Sequence, residues 1–170
     1  MLTLAYTARL LTPGVTYKFK IQARNEFGLS VYSNEISLLC AFIPAVPAAP
    51  TTSVIANNMI VQWVAPASNG SPITSYRVKL QQKSGAYSEE LTKCNSESSV
   101  LVTDLKCTIP LLTLQATPFL LELGDSIYAT VSATNVYGES SASSEGNGAT
   151  LLTVPDRPVG LSTDVATNTK

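Results

Sequence analysis

The chain has 170 residues, with 11 Lys and Arg against 12 Asp and Glu, a net charge of -1 and no histidine. Without a basic field there is nothing to displace counterions from phosphates, so a nucleic-acid partner is not expected. The longest apolar stretch, Ile36 to Pro50, is broken by Ser37, Pro44 and Pro47, and falls short of the roughly 18 apolar residues of a membrane helix.

Met1 to Leu11 lacks the basic start and cleavage site of a signal peptide, so the chain reads as part of a longer one. From there Tyr17, Phe19, Ile21 and Ala23 alternate with Lys18, Lys20, Gln22 and Arg24. Period two, with one dry and one wet face, predicts a half-buried antiparallel strand. It runs into Asn25-Glu-Phe27-Gly28, where Gly28 reads as a turn residue that tolerates positive φ. Phe27 is either an exposed anchor or a side chain that packs the turn. Cys40 ends the following strand, as a small buried hydrophobe or as the partner of a cysteine outside this chain.

Pro44-Ala-Val-Pro-Ala-Ala-Pro50 is uncharged and proline-rich, which predicts an extended, semi-rigid spacer of roughly 3 Å per residue. A proline-bearing loop at a sheet edge is the plainer alternative. Strand patterns recur at Ile60 to Val64, which carries Trp63, and at Tyr76, Val78 and Leu80. Between them, Asn69-Gly70-Ser71 is a glycosylation sequon and, equally, ordinary turn chemistry. Glu89 and Glu90 are neighbours on one strand and point to opposite faces, which is wrong for a shared acid–base pair. Cys94 and Cys107 bracket the polar stretch Asn95 to Lys106. They are expected to face each other across a hairpin and form a disulfide worth about 3 kcal/mol; two reduced buried thiols are the alternative. Leu111 to Leu123 is longer than a compact module needs, and Phe119, Leu121 and Leu123 are expected to pack it down.

The segment Gly124 to Gly138 then repeats Gly14 to Gly28, 110 residues on. Both copies share the leading Gly, an Ala and an Asn two residues apart, an aromatic-Gly pair (Phe27-Gly28, Tyr137-Gly138), and Ser30 or Ser140 two residues later. A fixed period signals strung modules rather than one large domain. The recurrence gives Tyr137 the same two readings as Phe27. No run of ten or more residues has helical periodicity, and turn clusters separate the strand patterns at sandwich-like spacing, so the fold class is all-β.

The order of parts is a Pro-rich lead-in, a strand with Trp63, an Asn-Gly-Ser-Pro loop, Ile73-Thr-Ser-Tyr76-Arg-Val and the Asn135-x-Tyr137-Gly138-x-Ser140 hairpin. It resembles the fibronectin type III family, which implies antiparallel β-sandwich modules in tandem. The resemblance makes Trp63 and Tyr76 core residues of the second and third strands. It makes Tyr17 a corner residue whose hydroxyl anchors the preceding loop. Ile127 stands at that position in the second copy, so something else must hold the loop there, and Tyr128 faces the other way. The implied organisation is residues 1–43 as the last three strands of a module, 44–154 as a complete module, and 155–170 as the linker and first strand of another. Val154 to Leu161 repeats the lead-in. Three strands without their partner sheet leave an apolar face and open edges exposed. Either the native chain is longer or another subunit supplies the missing strands.

With no histidine there is no Ser-His or Cys-His pair, and glycine-rich phosphate loops are absent; neither an enzyme nor a cofactor is expected. Three cysteines without histidine argue against a metal site, and Asp156 and Asp164 read as solvated charges rather than calcium ligands. A disulfide points to an oxidising compartment, so the setting is expected to be extracellular or cell-surface. The expected function is a non-catalytic structural module of an extracellular tandem array (spacer, coat or filament unit), partnered by neighbouring modules or identical subunits, with strand complementation between subunits as one route of assembly. The alternative is a protein-binding or adhesion module of a cell-surface receptor, with Phe27 and Tyr137 as loop contacts.

Overall fold

The computed structural model describes residues 5–95, 99–153, 155 and 158–160. Asp156, Asp164 and most of the expected third module lie outside the described residues.

Residues 14–40 form one long hairpin. Strand β1 (Thr16–Phe19) pairs antiparallel with β4 (Ile36–Leu39), and β2 (Arg24–Asn25) with β3 (Gly28–Leu29) at its tip. Three strands were expected before residue 44, yet residues 5–13 carry none. The sandwich that follows has the same feature. There residues 115–123, the counterparts of 5–13 at the 110-residue offset, carry no strand either and run from the end of a short helix into a turn.

The sandwich spans about residues 47–151. One sheet is β5 (Thr51–Ile55), β6 (Asn58–Gln62) and β9 (Lys106–Pro110), in that order. The other has the order β12-β11-β7-β8, from β7 (Ser75–Gln81), β8 (Tyr87–Glu89), β11 (Ala129–Asn135) and β12 (Gly138–Glu139). A short pair, β10 (Ser126–Ile127) with β13 (Ala149–Thr150), extends the last hairpin. Two brief helices, α1 (Ser99–Asp104) and α2 (Leu111–Gln115), sit in the crossovers.

Period-two alternation builds the core. Tyr76, Val78 and Leu80 from β7 meet Met59, Val61 and Trp63 from β6 and its extension, with Ile109, Ile127, Val131 and Leu151 between the sheets. Each such side chain contributes about 1.5–3 kcal/mol on burial. The Trp63 and Tyr76 rings lie 5.4 Å apart at 55°, a tilted contact that favours the quadrupoles. The long segment after β9 is packed down by Leu111, Leu114, Phe119 and Leu121, all buried. Leu123 does not join them; it is 60% exposed. The chain reverses there, with the Asp125 amide donating to Glu122 O at 3.0 Å, so Leu123 sits on the outside of the turn.

Candidate functional site

The sequence repeat reappears as a repeat of hydrogen bonds. The Ala23 amide donates to Ser30 Oγ and the Ser30 amide to Ala23 O; Ala133 and Ser140 make the same two bonds. Two residues back, Ile21 with Ser33 and Val131 with Ser143 repeat the arrangement. Asn25 Oδ1 accepts from the Phe27 and Gly28 amides, and Asn135 Oδ1 from Tyr137. The asparagine therefore holds the turn. Phe27 is 90% exposed and an added Cβ at Gly28 would meet nothing within 4 Å, so Phe27 packs no turn. Tyr137 is half exposed at 51%.

The two copies satisfy their corner amide by different chemistry. In the first, the Thr12 amide donates to Tyr17 Oη at 2.8 Å. In the second, with Ile127 buried in place of tyrosine, the equivalent Glu122 amide donates to Asp125 Oδ2 at 2.8 Å. That amide and the Lys83 ammonium, 2.7 Å away, hold the Asp125 carboxyl below its usual range. The Asp125 hydrogen bond in turn raises Lys83.

The cysteine pair is a disulfide, Cys94 to Cys107. It does not span a hairpin as expected: α1 intervenes, and β9 bonds to β6 with Cys107 opposite Val61. Cys94 follows β8 on the other sheet, so the bond joins the two sheets. Glu90, whose burial sequence reasoning missed, organises the approach to Cys94. Its carboxylate accepts from the Thr92, Lys93 and Cys94 amides and from the Thr92 hydroxyl. Burial pushes this carboxyl up, but those donors together outweigh it and hold it below its usual value. Glu89, on the other face, pairs with Arg77.

Two surfaces stand out as places for interaction. The first is the bare face of the hairpin. Phe19, Ile21, Ile36 and Leu38, with Tyr6 and the buried free Cys40, line an open apolar groove of about 420 Å³. Ile21, Ile36 and Leu38 are 74%, 57% and 55% exposed, whereas Val131, equivalent to Ile21 in the second copy, is fully covered by the β5-β6-β9 sheet. The opposite face is wet, with Lys18 and Lys20 both reaching Glu35.

The second is the junction between hairpin and sandwich. The Ser68–Ser71 loop lies against the hairpin base, where Gly14 donates to Cys40 O at 2.7 Å. A Cβ added at Gly70 would come within 2.3 Å of Gly14 N. Asn69, the sequon residue, has its Nδ2 committed to Ile43 O at 2.9 Å, while its own carbonyl accepts from the Phe42 amide. Pro44, Pro47 and Pro50 are all buried, a three-residue spacing that matches one face of a polyproline helix. Among the described residues no three His, Cys, Asp or Glu side chains group as metal ligands, and no helix is long and apolar enough to cross a membrane.

Comparison with known proteins fits this architecture. Residues 47–108 match the family described as the fibronectin type III domain. The human protein "Fibronectin type-III domain-containing protein 3A" is 33% identical over 75 residues, 43% of this chain and 6% of that protein. "Protein sidekick" of Drosophila melanogaster is 33% identical over 117 residues, 60% of this chain and 5% of its own length. The chain thus spans well under a tenth of these relatives. Among solved structures, the sixth fibronectin type III domain from human fibronectin type III domain containing protein 3 has a TM-score of 0.48 and 20% identity, covering 68% of this chain and 92% of that one. A crystal structure of titin domains has a TM-score of 0.47 and 18% identity, covering 76% and 39%. The matched residues 47–108 lie inside the sandwich of this all-β chain.

Proposed function

We propose that this chain is a non-catalytic structural stretch of an extracellular tandem array, serving as spacer, surface coat or filament unit. In this reading residues 1–43 belong to one module, 44–154 to the next, and 155–170 open a third. The observation that carries it is the bare groove at Phe19, Ile21, Ile36 and Leu38. It corresponds to the inner face of a sandwich sheet, and its natural cover is a sheet of the β5-β6-β9 kind from a neighbouring module or an identical subunit. The Cys94–Cys107 disulfide supports an oxidising compartment. A second reading, a protein-binding module, draws on Phe27, 90% exposed at the hairpin tip.

Light scattering of the unreduced chain, together with electron microscopy, tests the first reading. Concentration-dependent oligomers or fibres that vanish on Ile21→Lys support closure by identical subunits. A monomer with Ile21 still open to solvent labelling at high concentration removes subunit complementation and leaves only a neighbouring module as cover.

A further inference from the structure

Asn135 has a second job that its counterpart lacks. Its Nδ2 donates to Phe42 O at 2.8 Å and also lies 3.3 Å from Ser68 O and 3.4 Å from Ser71 O. The residue is 4% exposed. One amide group thus ties the linker before the sandwich to the loop at its end. Around it, Ala45 donates to Ala67 O at 2.9 Å, Ile43 Cγ2 sits 3.1 Å from where a Gly138 Cβ would be, and Gly70 abuts Gly14. Asn25 occupies the same place in the first copy, where its Oδ1 accepts from the Phe27 and Gly28 amides, but it is exposed and among the described residues it bonds to no linker.

We propose that the sandwich end made by Ser68–Ser71, Asn135 and Gly138 is a receptor for the preceding hairpin and its linker, fixing their angle so that residues 14–151 turn as one body. The linker is then a docked ridge rather than a free spacer. The Asn135 amide is buried, so parting its part-buried to buried bonds leaves a donor without a partner until water reaches it, and the Gly70–Gly14 approach leaves no room for a side chain that would pivot. This goes beyond the array reading and holds whether or not a partner sheet covers the hairpin groove.

The repeat supplies a matched control. Asn135→Asp keeps the Oδ1 acceptor for Tyr137 but removes the donor and sets a carboxylate against three carbonyl oxygens. Asn25→Asp makes the same change where no linker lies. Backbone nitrogen relaxation on the whole chain is expected to give one rotational correlation time for hairpin and sandwich in the unaltered protein and in Asn25→Asp. In Asn135→Asp the hairpin is expected to tumble faster than the sandwich, and the Phe42 and Ala45 amides to exchange about tenfold faster. Separate correlation times in the unaltered protein, or equal responses from the two variants, overturn the proposal. If Asn135→Asp loses the dispersed sandwich spectrum, Gly70→Ala decides. Faster hairpin tumbling with the core spectrum retained supports the receptor, and an unchanged junction overturns it.

Discussion

Replacing Cys94 and Cys107 together with alanine measures how far the sandwich depends on its staple. The bond closes a separation of 13 residues, and confining the unfolded chain over such a loop stabilises the native state by about 3 kcal/mol. Both residues are buried, at 1% and 4% exposure, so losing two sulfur atoms adds a packing loss in the same direction. At roughly 4–8 °C per kcal/mol for a domain near this size, the midpoint is expected to fall by about 12–24 °C. Urea denaturation followed by the fluorescence of Trp63, which lies in the same core, reads the effect directly. The denaturant slope should rise, because the released loop exposes more surface when unfolded. Thiol reduction of the unaltered protein should reproduce the change. A double variant within about 1 kcal/mol of the oxidised protein would refute the idea that the cross-link constrains the unfolded chain.

Two further tests address the corners and the buried carboxylate. Tyr17→Phe removes the acceptor of the Thr12 amide; exchange at Thr12 should quicken while Glu122, served by Asp125, stays as it was, at a cost of about 1 kcal/mol or less. An unchanged Thr12 would remove the corner role. Glu90 is held below the usual glutamate range, so its contribution is present above that range and drains away as pH falls through the lower folded value. Glu90→Gln should therefore flatten part of the loss of stability that sets in as pH falls below the ordinary glutamate range, and a curve as steep as that of the unaltered protein would show that the turn before Cys94 does not need the charge.

The sequence by itself determined what is local. Alternation at Tyr17 to Ala23 and at Tyr76 to Leu80 specified strands, because side-chain direction reverses at every residue of an extended chain. The Asn-x-aromatic-Gly repeat specified two hairpins, because an asparagine side chain folds back on amides two and three residues ahead. Tertiary structure decided which strands became neighbours. Cys94 and Cys107 read as facing residues of one hairpin, but β9 bonded to β6, and the disulfide became a tie between sheets. Asn69 read as a sequon or a turn residue, and only the approach of Ile43 gave its amide a carbonyl to hold. Asn25 and Asn135 are indistinguishable in their local pattern, yet Asn135 reaches Phe42, 93 residues away, because the linker and the loop converge on it. Such contacts follow from how the sheets close and not from any property of the residues within one turn of the chain, which is why the hairpins were legible in advance and the junction was not.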